Sequence, residues 1–205
     1  MRRRDFIRYL GLGSVAVTIP EAMHAVPAAA TTLCSDKKTK PISGSWFEFQ
    51  HSAAEGGYWN EALAHFTADQ WRRKVCEIPE VGMELLVLMG VARAGKHIYP
   101  SKIAPRIPMG CDDPLEAVLS AADECGIKFF VSNDFWGDLD AYNMMLDKGV
   151  QTVRFQAMEE IAERYSHHAC FYGWYFPNEA KLQPYFVDAC VNYVNETAAF
   201  AQRLT

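Results

Sequence analysis

From Ile42 onward, apolar positions fall into short continuous runs that alternate with longer stretches of helical spacing. Ile42–Gln50 reads as a short apolar-aromatic strand followed by a polar loop containing Gly56 and Gly57. Thr67 with Gln70 three residues on has the form of a capping box, and Trp71 and Val75 lie four apart on one helical face. Pro79 and Gly82 stop that helix. Met83–Val91 is a nearly continuous apolar run, the mark of a parallel strand covered on both faces. Asp113, Pro114 and Glu116 make a second helix start, with Asp at the cap, Pro at the first position and Glu at the third. Leu115, Val118, Leu119 and Ala122 form its stripe, and Gly126 closes it. Ile127–Ser132 is the third strand. Val150, Val153, Ala157, Met158, Ile161, Ala162 and Tyr165 recur at helical spacing, and Phe171–Phe176 is the fourth strand. Val187, Cys190, Val191, Val194, Ala198 and Ala201 mark a fourth helix before the sequence ends at Thr205.

Strands alternating with amphipathic helices predict an α/β fold with parallel strands. A doubly wound sheet would show a Gly-rich phosphate turn after its first strand. Here that strand leads into His51, Ser52, Ala53, Ala54 and Glu55 instead. Long polar and aromatic loops follow the strands and short ones precede them, as in a (β/α)8 barrel, which takes about 250 residues for eight units. The expectation is an incomplete (β/α)8 TIM-like barrel of about four β/α units over residues 42–205, ending before the barrel closes.

The first residues read as an address. Arg2, Arg3 and Arg4 precede Asp5, Phe6, Ile7 and Arg8, an apolar stretch runs from Tyr9 to Pro20, and small residues around Ala22–Ala28 offer a cleavage point. This resembles a twin-arginine signal peptide over residues 1–28, with a linker over 29–41. The apolar run is well short of the ~20 residues of a membrane span. The expected partner is therefore the twin-arginine export machinery, and the expected location is periplasmic or extracellular.

A formal net charge of −5, with no Lys/Arg stripe in the mature region, argues against a nucleic-acid partner. The six cysteines show no C-x-x-C spacing, and Cys76, Cys125, Cys170 and Cys190 sit in or beside apolar elements. They read as buried free thiols; an exported chain can form a disulfide, but spacing does not choose a pair. His167, His168 and Cys170 raise the question of a metal. In an extended strand adjacent side chains point apart, and His suits a helix C-terminus. They are read as structural, with no metal and no cofactor expected. Asn195, Glu196 and Thr197 match a glycosylation sequon inside a predicted helix and are read as a chance match.

The strand C-termini bring Glu48, Gln50, His51, Met89, Gly90, Asn133, Asp134, Trp136, Pro177, Asn178 and Glu179 toward one barrel mouth. Carboxylates, amides and indoles in one place suit carbohydrate: hydroxyls need fixed donors and acceptors, and sugar C–H faces pack on rings. The run from Phe171 through Tyr172, Gly173, Trp174, Tyr175, Phe176 and Pro177 to Asn178 and Glu179 resembles the fourth strand of the (β/α)8 glycoside hydrolase clan. More closely, the chain resembles the domain-of-unknown-function family 4434. The matching stretches are Ser43–Phe47, Thr67–Trp71, Tyr99–Ser101, Asp113–Leu119 and Gly173–Glu179.

That resemblance implies Glu179 as general acid/base and Asn178 as a ligand to a sugar hydroxyl; the strand-end residues Gln50, His51, Asn133 and Trp136, with Trp174, are read as lining the substrate site. Glycoside hydrolysis needs a second carboxylate, ~5 Å away for retention and roughly 6.5–9.5 Å for inversion. In the clan it comes from a late strand; Glu48 and Asp134 are the substitutes at hand. The expected function is an exported glycoside-hydrolase-like protein acting on or binding carbohydrate or another small molecule, truncated, with Glu179 as the remaining acid/base. The alternatives are a non-catalytic carbohydrate-binding protein, with Trp46, Trp59 and Trp136 as platforms, and an inactive gene fragment. Two unpaired sheet edges also imply self-association.

Overall fold

A computed structural model describes residues 41–49, 61–93, 95–133, 137, 141–176 and 187–205. The expected signal peptide and, save for Pro41, the linker lie outside the described residues, as do Gln50, His51, Asp134, Trp136, Asn178 and Glu179.

The elements run in the predicted order. Strand β1 (Gly44–Phe47) is followed by helix α1 (Ala68–Glu77), β2 (Leu85–Leu88), a two-stranded hairpin of β3 (Ala92–Arg93) and β4 (Lys96–His97), and α2 (Pro114–Cys125). Then come β5 (Lys128–Ser132), a short α3 (Ala141–Leu146), α4 (Lys148–Tyr165), β6 (Phe171–Tyr175) and α5 (Asp188–Leu204). The hairpin and α3 were not expected: both sit in segments with no apolar period long enough to register.

Four parallel strands form the main sheet in the order β1-β2-β5-β6. Each new strand is added on the same side of the last, whereas a doubly wound sheet reverses direction at a switch point. Among the described residues one sheet face is sealed and the other is open. Leu86, Leu88, Phe129 and Val131 are buried beneath Trp71 and Val75 of α1 and Leu115, Val118 and Leu119 of α2. On the opposite face Leu85 and Val87 are half-buried, and Trp46 and Tyr172 are exposed. Helices on one side of a sheet wound in one direction give the architecture of an incomplete (β/α)8 barrel, the fold class expected. The reading of β2 as covered on both faces is corrected: among the described residues only its helix side is sealed.

Local chemistry fixes the helix ends. The Thr67 hydroxyl accepts from the Gln70 N–H at 3.3 Å while Gln70 Oε1 accepts from the Thr67 N–H at 2.9 Å, the expected capping box. Asp113 caps α2 by accepting from the Glu116 N–H at 3.0 Å, and Gly126 ends it at φ 71°, a left-handed conformation that costs a residue with a Cβ. Asp147 caps α4 by accepting from the Val150 N–H at 2.9 Å.

Two expectations are corrected. Cys76 and Cys125 are not free thiols: they form a disulfide that joins the ends of α1 and α2 across 49 residues. On a chain-entropy reckoning a loop of that length stabilises the fold by about 4 kcal/mol, against ~1 kcal/mol for a single helix cap. An ion pair between Arg72 and Glu124 reinforces the same junction. Cys111, Cys170 and Cys190 are buried and free. The second correction is the stripe of α5. Its buried residues are Cys190, Tyr193, Thr197 and Ala201, while Val187, Val191 and Val194 face outward. Tyr193 takes the inward place because it lies against the buried guanidinium of Arg154, 4.7 Å from ring centroid to Cζ. The inward face also packs Cys190 and Tyr193 with Met145, which leaves the valines outside.

Candidate functional site

The open face of the sheet carries the aromatic chemistry. Alternation along β1 sends Phe47 toward Trp71 on the helix side, with ring centroids 6.1 Å apart, and Trp46 to the opposite side. Trp46 is 59% exposed and its ring lies 5.1 Å from that of Tyr175, at an interplanar angle of 55°. These two residues come from the two edge strands, so the sheet curls far enough for its edges to share one aromatic surface. Below them, Tyr172 packs edge-on to Phe130 at 5.3 Å, and the Lys128 ammonium sits 4.5 Å from the Tyr172 ring. Gly173 lies close beside this stack: a Cβ there would stand 3.1 Å from the Phe130 ring, a tight contact that the ring would have to yield to.

The expected site residues divide. Trp174 lies half-buried on the helix side, 5.2 Å from Phe171, so it is Tyr175 and not Trp174 that reaches the open face. Asn133 is fully buried at the end of β5, where its Nδ2 donates to Met158 Sδ at 3.6 Å. Among the described residues its Oδ1 has no partner. Glu48 follows β1 and lines a small cleft with Phe49, Met89, Gly90 and Arg93, at the same strand ends. Gln50, His51, Trp136, Asn178 and Glu179 lie outside the described residues. Tyr172 was passed over because period-two alternation assigns faces only once the register of β6 is known. A register irregularity between Phe129 and Phe130 intervenes.

A second polar constellation lies on the helix side. His168 is 7% exposed, with its Nδ1 2.8 Å from Asp123 Oδ2 and its Nε2 3.1 Å from Glu116 Oε2. Asp123 also accepts from the Cys170 N–H at 2.6 Å, and Glu116 accepts from the Ser120 hydroxyl at 2.8 Å. Alongside, Asp113 accepts from the Tyr165 hydroxyl at 2.9 Å and from Arg164 at 3.1 Å. Together these contacts bind α2 to the turn between α4 and β6.

Burial alone would lower the His168 pKa, but the hydrogen bonds to Asp123 and Glu116 outweigh it and raise the pKa above 6.5. Burial would raise Glu116 and Asp123, and their bonds to His168 reverse that too, holding both carboxyls below their ordinary values of 4.5 and 3.8. A raised histidine stabilises the fold below its unfolded pKa, and that stability is lost as pH rises through the folded one; lowered carboxyls contribute above their unfolded values. In chelator-treated buffer the melting temperature is therefore highest between about pH 4.5 and 6.5 and declines above it. His168→Gln removes the decline above pH 6.5, as thermal melts across the pH series will show. A decline of equal size in the variant would assign it to other groups.

Comparison with known proteins adds the following. No curated protein matches the chain. Among solved structures it is similar to an alpha-L-fucosidase GH29 from Bacteroides thetaiotaomicron, with 15% identity, a TM-score of 0.47, and coverage of 79% of this chain and 44% of that one. It is also similar to a candidate alpha-L-fucosidase from Bacteroides thetaiotaomicron VPI-5482, with 13% identity, a TM-score of 0.47, and coverage of 76% and 46%. The chain thus spans less than half the length of these two structures. The family model of the domain of unknown function DUF4434 matches residues 42–205, which is the whole of the described fold. The chain belongs to the DUF4434 family.

Proposed function

We propose that this is an exported, glycoside-hydrolase-like protein that holds carbohydrate at the C-terminal ends of its parallel strands. The observation that carries the reading is the pair of exposed Trp46 and half-buried Tyr175, an aromatic surface shared by the two edge strands. Indole and phenol faces offer apolar area to sugar C–H groups while leaving the hydroxyls to polar neighbours. Four residues beyond Tyr175 in sequence stands Glu179, preceded by Asn178, in the strand-four ending that resembles the glycosidase clan.

In this reading Glu179 protonates the glycosidic oxygen as its bond to the anomeric carbon breaks, and a second carboxylate attacks that carbon or activates a water. Glu48, in the cleft beyond β1, is the second carboxylate proposed from this chain. Among the described residues β1 and β6 are sheet edges, and such edges favour addition of further strands, including those of a second copy.

The test is a panel of aryl glycosides and polysaccharides. Glu179→Gln lowers hydrolysis about 10²–10⁴-fold, the usual worth of a positioned general acid. Trp46→Ala weakens polysaccharide retention in affinity gels about tenfold, ~1.4 kcal/mol. Equal hydrolysis by the Glu179→Gln variant would remove that residue from the mechanism. Retention by the unaltered chain with no turnover would favour the non-catalytic binding protein.

Export rests on the Arg3–Arg4 signal and gains support from the Cys76–Cys125 disulfide, since such bonds persist in oxidising compartments. Cell fractionation is expected to recover the oxidised chain outside the cytoplasm. Arg3→Lys/Arg4→Lys is expected to retain it inside with both thiols reduced; export of that variant would contradict the twin-arginine route.

A further inference from the structure

His167 and His168 do not lie in an extended strand, so the reason for separating their side chains falls away. They occupy the turn between α4 and β6, with ring centroids 4.2 Å apart and planes 34° from parallel. One ligand atom from each, together with a Glu116 carboxylate oxygen, falls within 4.8 Å of the others. We infer that Glu116, His167 and His168 form a binding site for a divalent transition-metal ion of the zinc class, with Asp123 holding His168 from behind.

The geometry around His168 carries the assignment. Metal-binding imidazoles characteristically donate their second ring N–H to a carboxylate, which fixes the tautomer and the ring orientation. Asp123 stands in that place, 2.8 Å from Nδ1, and is itself anchored by the Cys170 N–H. With Nδ1 carrying the proton, the Nε2 lone pair faces Glu116 Oε2 across 3.1 Å. Two acceptor atoms at that distance need a proton or a cation between them. Zinc bound at ~2.0–2.2 Å to N and O ligands would hold such atoms about 3.3 Å apart in a tetrahedral site, close to the spacing already present.

His167 is exposed on the turn, so its side chain is free of core packing that would oppose the small rotation needed from the 4.8 Å grouping to bonding distance. The Glu116 side chain is 42% exposed, so the ion has a route in and water a place at the fourth position. Two imidazoles with one carboxylate favour zinc-class ions over magnesium or calcium, which require mostly oxygen. Cys170 is not a ligand. Its Sγ is outside the group of converging ligand atoms and donates to the Leu119 carbonyl at 3.3 Å.

The ion would tie α2 to the start of β6, on the helix side of the sheet and apart from the proposed carbohydrate surface. The experiment titrates the full disulfide-bonded chain with Zn²⁺ against a chromophoric chelator at pH 7.5, with Mg²⁺ as the control ion. One zinc per chain is expected, undisturbed by millimolar Mg²⁺, with a rise in melting temperature on loading. His167→Ala, an exposed change that leaves the fold intact, is expected to weaken zinc binding at least tenfold and abolish the thermal rise. Asp123→Asn is expected to weaken binding by about 10–100-fold, the usual cost of losing a carboxylate behind a metal-bound histidine. Fewer than one zinc per chain, or His167→Ala binding as tightly as the unaltered chain, would overturn the site.

Discussion

Everything in this fold depends on sealing one face of a four-stranded parallel sheet beneath α1 and α2. Leu86, Leu88, Phe129 and Val131 are removed from water there, against Trp71, Val75, Leu115, Val118 and Leu119. At roughly 1.5–3 kcal/mol for each large apolar side chain, this layer outweighs any single cap or surface ion pair. The disulfide between Cys76 and Cys125 acts on the same layer, because it fastens the two helices that make the seal. Among the described residues the cover from α1 and α2 lies on one side, and the other face of the sheet is left to aromatic residues that are part-exposed. The surface proposed to meet ligand is thus a consequence of how the core is closed.

Much of this was legible in the sequence, because the signals were local. Thr67 with Gln70, and Asp113 with Pro114 and Glu116, announce helix starts through hydrogen bonds made within four residues. Apolar runs of the right length located all four sheet strands. What depended on distant partners was not legible. Cys76 and Cys125 look like any apolar-flanked thiols until α1 and α2 are packed side by side. The valines of α5 had the better helical period, but Tyr193 meets a buried guanidinium on α4 and packs inward with Cys190 and Met145. Likewise, which of Trp174 and Tyr175 faces outward is decided by the register of β6 against β5.

The two polar regions follow different logics. At the strand ends, rings from opposite edges of the sheet meet, and the carboxylate nominated for chemistry comes from the sequence that follows β6. On the helix side, His168 is held between two carboxylates within a turn that has little to do with the sheet's open face. Its neighbour His167 was discounted on the premise of an extended backbone, and the turn removes that premise. Adjacency in sequence says little about convergence in space until the local backbone is known.

The central functional claim is that Trp46 and Tyr175 form a surface for sugar rings. Saturation-transfer difference NMR, with the protein's aromatic protons irradiated in the presence of soluble oligosaccharides, reads this contact directly. Saturation is expected to concentrate on the C–H face of one or two sugar residues and to be lost in Trp46→Ala. Saturation of equal strength and pattern in the unaltered chain and in Trp46→Ala would contradict it.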